Sequence, residues 1–389
     1  MNKKVKQQQM PNKKNILYII TSTNVGGTER ALLELIKRLD RTQYDILVCS
    51  LKKEGAFAQK LKQETDGFYC LKLSESGGVS AVLSFLPALV SLFLLIRTTK
   101  PDIIHSFLFR ANIFGRLAGR LAGVKNIISS VRVIEADKPL KHFVDRTTSS
   151  FVTIYTAVSE AARKFTLEQI KISPDKIITI QNGVDCNLIE TKTTNRFKTD
   201  TTKTNIGLIG RLDSQKGHTV LLKAVKILLS EQQNIQVYFF GKGPDENSLK
   251  DRVKKHGLDE YVDFMGTTDN IYHCISQMDI ITIPSLWEGL PNILLEAMAL
   301  GRPVIASKIE GISEVVTDNE TALLFNPGNE TELSNAILRL ISDKDLTQKI
   351  GANAKKHVID NFSIEECVNK TTALYETLLA QVKNQDSGL

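Results

Sequence analysis

Short apolar strands alternate with amphipathic helices along this chain, in two successive series, and that alternation admits few folds. The first series opens with a strand at 15–20, a loop at 21–28 and a helix at 29–39. Further strands follow at 44–50, 68–73, 102–105, 126–132, 151–158 and 177–181. A second series starts at 205–210 and continues at 235–240, 262–265, 280–283, 303–306 and 322–325, with helices from Thr331 to the end. Strands this short, joined by crossover helices, predict α/β structure with parallel, doubly wound sheets. A length of 389 residues is enough for two such domains, each with its own core. The expected layout is a disordered basic tail at 1–14, a first domain at 15–188 and a linker at 189–204. A second domain at 205–360 and a C-terminal helix at 361–389, packing back on the first domain, complete it. Doubly wound sheets bind ligands beyond their strand C-termini, so the cleft between the domains is the expected site.

Composition narrows the class. Hydrophobic residues make up 42% and charged residues 24%, which suits a globular protein and argues against disorder. The five cysteines, Cys49, Cys70, Cys186, Cys274 and Cys367, are scattered. None is in a Cys-x-x-Cys pair, so neither a disulfide framework nor a zinc site is indicated, and a reducing cytoplasm is expected. The basic N-terminus lacks an apolar stretch of the signal-peptide kind. A net charge of +7 favours anionic partners such as sugar nucleotides, phospholipid surfaces or phosphorylated acceptors. The lysines are dispersed and no nucleic-acid-binding module is recognisable, so no nucleic-acid partner is expected.

The chemistry concentrates in Pro284 to Gly301. An apolar strand runs into the loop Pro284-Ser285-Leu286-Trp287-Glu288-Gly289-Leu290-Pro291-Asn292, and the loop runs into a helix with Pro291 suited to its first turn. A helix start presents unpaired N–H groups and a positive dipole end, which favour an anion such as a diphosphate. Glu296 lies five residues past Pro291, roughly 7 Å along the helix. Glu288 and Glu296 would then meet opposite ends of an elongated, phosphate-containing ligand. Glu296 is embedded in an apolar helix and needs a partner if it is buried.

Gly207 to Gly217 opens the second series and places Arg211 and Lys216 in one loop. A guanidinium fork and a mobile ammonium suit phosphate oxygens. The corresponding loop of the first series, Asn24-Val25-Gly26-Gly27-Thr28-Glu29-Arg30, has paired glycines that let backbone approach a ligand, with Thr28 able to cap the following helix. Neither a phosphate-binding Gly-x-x-x-x-Gly-Lys-Ser loop nor a complete Gly-x-Gly-x-x-Gly fingerprint is present; Gly241-Lys242-Gly243 comes nearest to the latter.

The pattern PSxxEGxPxxxxEA at 284–297 resembles the signature of the retaining, nucleotide-sugar-dependent glycosyltransferases of family 4. The resemblance extends over nearly the whole chain after residue 14. It implies the GT-B fold, in which two Rossmann-like domains face a central cleft. It also implies Glu288 at the donor sugar, Glu296 at the ribose hydroxyls, and Arg211 and Lys216 on the donor diphosphate. By the same resemblance Gly26 and Gly27 face the donor phosphates and the acceptor, Gly241 and Gly243 lie near the nucleobase, and Gly289, Leu290, Pro291 and Asn292 line the donor site. Asp102 to Gly119 is similar to the family's first-domain motif, which carries His105 into the cleft without a defined role. Many relatives have a His after the next strand, where this chain has Arg132, so a His base is in doubt. A retaining, metal-independent transferase is the implied activity, with a nucleotide-diphosphate sugar as donor substrate, a sugar or lipid-linked acceptor, and no cofactor. The only Asp-x-Asp string, Asp343-Lys344-Asp345, reads as a capping turn. The alternatives are a nucleotide-sugar epimerase on the same fold and a sugar-nucleotide-binding protein without catalysis.

One segment departs from the pattern. Ser76 to Ile96 carries no charge, and Val79 to Ile96 is almost wholly apolar apart from serines. It is expected either to be covered by another element or to rest on an anionic membrane face, helped by Arg97, Lys100 and the lysines at 3, 4, 13 and 14. Pro87 at its centre argues against a span.

Overall fold

The computed structural model describes residues 13–24, 26–73, 79–135, 138–186, 199–268 and 270–387, with the side chains of 79–83 and 383–387 left aside. The tail at 1–12, Val25 and most of the 189–204 linker therefore lie outside the described residues.

The first domain runs β1 (Lys14–Ile20), α1 (Gly27–Arg38), β2 (Tyr44–Ser50), α2 (Ala58–Gln63), β3 (Gly67–Cys70), α3 (Val79–Thr99) and β4 (Ile103–Phe107). It continues with α4 (Phe109–Leu121), β5 (Asn126–Val131), α5 (Pro139–Thr147), β6 (Ile154–Ala157), α6 (Glu160–Ile170) and β7 (Ile177–Thr179). The second runs β8 (Thr204–Ile209), α7 (His218–Leu228), β9 (Ile235–Phe240), α8 (Glu246–Lys255), β10 (Val262–Gly266), α9 (Ile271–Ser276) and β11 (Ile280–Ile283). After it come α10 (Asn292–Ala299), β12 (Val304–Ser307), α11 (Glu310–Ser313), β13 (Leu323–Phe325), α12 (Glu330–Ser342), α13 (Lys344–Asn361) and α14 (Ile364–Ser387).

Each domain has one parallel sheet, ordered β3-β2-β1-β4-β5-β6-β7 and β10-β9-β8-β11-β12-β13. In both, strand order reverses beside the first strand of the domain, between β1 and β4 and between β8 and β11. Loops leaving such neighbours part to opposite faces of the sheet and open a crevice at the strand C-termini. The loops that carry Gly26 and Gly27, Arg211 and Lys216, and Glu288 follow β1, β8 and β11, at those two reversals.

The chain crosses between domains twice at nearly one place. Val184 N–H donates to the Phe362 carbonyl at 2.9 Å, and Ile364 N–H to the Val184 carbonyl at 3.1 Å. α14 then lies on the first domain, where Val368, Leu374, Tyr375 and Leu378 join the core of Ile16, Tyr18, Leu32 and Tyr44. The Tyr375 hydroxyl is 2.9 Å from that of Tyr18 and 2.7 Å from Nδ1 of His105. The other ring nitrogen of His105 is 2.8 Å from Ser130 Oγ, which in turn meets Thr156 Oγ1 at 2.5 Å. A buried polar chain thus ties the last helix to four strands of the first sheet.

One expectation needs correction here. Thr28 does not cap α1: the helix begins at Gly27, with Gly26 at the cap position and no side-chain cap bond. α3 is a continuous helix through Pro87, and it divides by face. Ala88, Leu92 and Ile96 are buried against the sheet and α4, whereas Leu86, Val90 and Leu94 are exposed at 64%, 48% and 56%. Spacing of four residues puts those three in one outward row. Asp343 does cap α13, its side chain accepting from Leu346 N–H at 2.9 Å.

Replacing Tyr375 by Phe leaves the Tyr18 hydroxyl and a buried His105 nitrogen without this partner. The expected loss, read from urea denaturation, is about 2 kcal/mol; an unchanged midpoint would mean that the chain of hydroxyls contributes nothing to anchoring α14.

Candidate active site

Two helices start at the cleft from opposite sides, α1 on the first domain and α10 on the second. They meet directly: Asn292 Nδ2, in the first turn of α10, donates to the Gly27 carbonyl at 2.8 Å. Asn182, at the end of the first domain, hydrogen-bonds to Asn292 through its own amide. Pro291 sits at the cap position of α10 rather than in its first turn, and Leu290 beside it is buried. Gly289 approaches the first domain so closely that any Cβ there would strike the Arg132 carbonyl. Both helix ends carry positive partial charge, so their approach calls for negative charge between or beside them.

Carboxylates supply some of it. Glu288 is 7% exposed and forms an ion pair with Lys216. Its Oε1 also accepts from Ser285 Oγ at 2.9 Å, and its Oε2 from Gln215 Nε2 at 3.3 Å. Gln215 further donates to the Trp287 carbonyl at 2.9 Å, which fastens the loop after β8 to the loop after β11. Lys216 therefore touches Glu288 directly. Arg211 does not join them; it is 69% exposed, and among the described residues its one ion pair is with Asp213, at 3.5 Å. Gly241, at φ 145°, lies against the Gly210 carbonyl where a side chain would collide, and Gly243 packs in the same way on Leu212.

Glu296, on the buried face of α10, is paired across the cleft with Arg30 of α1, Nη1 to Oε1 at 3.3 Å. Burial raises its pKa and Arg30 pulls it back. Glu29, in the first turn of α1, is also buried and lies against Gly26. Burial lifts its pKa to about 7, opposed by its own backbone N–H, by Ser22 Oγ at 3.3 Å, and by the charges of Arg132 and Arg30. The sequence alone assigns no role to Glu29 or Arg30. Their one signal is position, two opposite charges in the first turn of a helix that starts at a cleft.

His105 does not face the cleft. It is 3% exposed, both ring nitrogens are engaged as described, and burial lowers its pKa to about 3, so it stays neutral. Arg132, by contrast, is at the domain boundary. It hydrogen-bonds to Asn182, lies 5.5 Å from the Phe107 ring centroid, and is lowered to about 10 by burial. Leu108, next to Phe107, has φ 72° and ψ 157°, a region that only glycine enters freely. Strain there costs on the order of 1–3 kcal/mol and gathers at functional junctions. Among the described residues, no group of three His, Cys, Asp or Glu side chains could hold a metal ion.

Two family models match the chain. Residues 25–188 match "Glycosyltransferase Family 4", and residues 190–357 match "Glycosyl transferases group 1". A relative from Escherichia coli, described as UDP-Gal:alpha-D-GlcNAc-diphosphoundecaprenol alpha-1,3-galactosyltransferase, is 26% identical over 90% of this chain and 94% of its own. The Staphylococcus aureus capsular polysaccharide biosynthesis glycosyltransferase CapM is 26% identical over 77% of this chain and 83% of its own. Among solved structures, Anabaena HepE in complex with UDP-glucose superposes with a TM-score of 0.77 at 21% identity, covering 96% of this chain and 100% of that one. Two parallel-sheet domains with their reversals at one cleft, and two matches that divide the chain along the same line, place this protein in glycosyltransferase family 4: it is a GT-B glycosyltransferase.

Proposed function

We propose that this glycosyltransferase takes a nucleoside-diphosphate sugar as donor and transfers the sugar, with retention and without a metal ion, to a hydroxyl of a sugar or lipid-linked acceptor in surface polysaccharide or glycolipid assembly. The observation that carries the proposal is the opposition of two helix N-termini across the cleft, with Lys216 and Glu288 in contact beside them. Two positive ends and an ammonium form a preorganised seat for a diphosphate that gains charge as it leaves. The exposed Arg211 can add its guanidinium once phosphate is present. Glu288, held by Ser285, Gln215 and Lys216, would stabilise positive character at the anomeric carbon as the bond to the leaving oxygen breaks. A neutral, fully engaged His105 is excluded as base for the acceptor hydroxyl. The proton is assigned to the departing phosphate oxygen, on the face where the new bond forms. Support for donor and acceptor class comes from the relatives, one named for a UDP-sugar and a diphosphoundecaprenol acceptor and another for capsular polysaccharide. The epimerase alternative draws no support from them.

With UDP-, GDP- and ADP-sugars offered beside a lipid-linked acceptor, one nucleoside diphosphate should be released in an acceptor-dependent reaction. Lys216→Ala or Arg211→Ala should lower kcat by on the order of a hundredfold, equivalent to about 3 kcal/mol in the barrier, in a folded protein. Unchanged turnover in both would remove the cations from the mechanism.

For the acceptor side we propose an anionic membrane surface as partner. Among the described residues no helix is long and apolar enough to cross a membrane. The outward row Leu86, Val90 and Leu94 is followed by Arg97 and Lys100, an arrangement that suits the headgroup region. Leu140 and Phe143 of α5 are exposed as well, in a helix that also carries Lys141 and Arg146. Lys13 and Lys14 are committed elsewhere, to Asp45 and Asp102. Flotation with phosphatidylglycerol-containing vesicles should recover the protein, and Leu86→Ser with Val90→Ser and Leu94→Ser should abolish recovery without altering the circular dichroism. Equal recovery of the triple variant would exclude this row as the contact. Leu92, which is fully buried, is the wrong side chain for that test.

A further inference from the structure

Glu296 is the carboxylate for which a ribose role was expected, and its surroundings are more specific than that role requires. It is 4% exposed on α10 of the second domain, and the partner that offsets its charge comes from the other domain. That pair is incomplete on both sides. Arg30 Nη1 meets Glu296 Oε1, but Glu296 Oε2 and Arg30 Nε are each buried without a hydrogen-bond partner. A buried carboxylate oxygen wants a donor, and a buried guanidinium N–H wants an acceptor. Leaving both unmet costs free energy that a ligand can recover. Tyr272 of α9 lies close enough that Glu296 and Arg30 are the largest charges acting on its hydroxyl, so an aromatic side chain adjoins the pair.

We propose that Arg30 is a positioning residue for the donor nucleoside. From the first domain it orients the Glu296 carboxylate for the ribose hydroxyls, and its own Nε donates to a hydroxyl oxygen of the same ribose. This rests on the nucleoside-diphosphate reading above and extends it in one respect: the nucleoside is recognised by both domains. A hydroxyl donates to Oε2 while Arg30 keeps its bond to Oε1, so the ligand completes the ion pair and does not displace it. The ion pair fixes the rotation of a carboxylate whose second oxygen has no hydrogen-bond partner among the described residues. Arg30 also ties the donor to α1, whose start carries Gly27 and the bond to Asn292, so an occupied nucleoside site and a closed cleft favour one another.

The test is calorimetric binding of UDP, GDP and ADP, followed by the 2′,3′-dideoxy form of whichever binds best. The wild type should prefer the ribonucleotide by about tenfold or more, the usual worth of a hydrogen bond to a charged group. Arg30→Met should erase most of that preference while leaving the dideoxy affinity close to the wild-type value, and Arg30→Lys should retain part of it. A general loss of structure would weaken both nucleotides together, and that outcome overturns the proposal. So does an Arg30→Met variant that still prefers the ribonucleotide as the wild type does, and in that case the donor reading stands. Failure of the wild type to bind any of the three overturns the donor reading itself, and this inference with it.

Discussion

Everything at the cleft depends on two helices beginning at the same place from opposite sides. The starts of α1 and α10 are joined by the Asn292 bond to the Gly27 carbonyl, and each brings unpaired backbone N–H groups and the positive end of a dipole. Like charge facing like charge is unfavourable unless an anion lies between or beside it. Without substrate, that role falls to three buried carboxylates, Glu29, Glu288 and Glu296, each with a cation or donor close by. A ligand carrying two phosphates suits the same field and would take over part of their work. Local charge balance and substrate preference then have one cause.

The domains can hold this geometry because the chain ties them together away from the site. Two crossings run side by side at Val184 and Ser363, and α14 buries Tyr375 in the first domain's core. Contacts between the domains are polar and apolar together: Asn182 meets Asn292, Arg30 meets Glu296, Gly289 lies against the Arg132 carbonyl, and one buried apolar cluster contains Val158 and Ala162 of the first domain with Leu290 and Ile312 of the second.

The fold was legible because strand spacing and helix periodicity are local properties. Two βα series gave two parallel sheets, and the motif-bearing loops follow strands at the reversals of order. Within the site, chain position alone could bring Lys216 and Glu288 into one cleft, but not into contact; that needs β8 and β11 to be neighbours. The apolar setting of Glu296 announced that a partner was needed. It could not say that the partner would be Arg30, some 266 positions earlier, because that pairing exists only across the domain boundary. His105 misled for a related reason: its strand does end at the cleft, but α14 returns over it and its hydroxyl takes the ring. The charge-free α3 was ambiguous because an apolar face and an apolar core look alike in sequence. Only the packing of Leu92 separates it from Leu86, Val90 and Leu94.

The claim that the two helix ends form an anion seat is most directly tested by a crystal structure with a bound nucleoside diphosphate, chosen by affinity from UDP, GDP and ADP. The account predicts the phosphates between the starts of α1 and α10, within hydrogen-bonding distance of backbone N–H groups there and of the Lys216 ammonium. A nucleotide bound with its phosphates away from both helix ends, while Lys216 remains closed on Glu288, would contradict it.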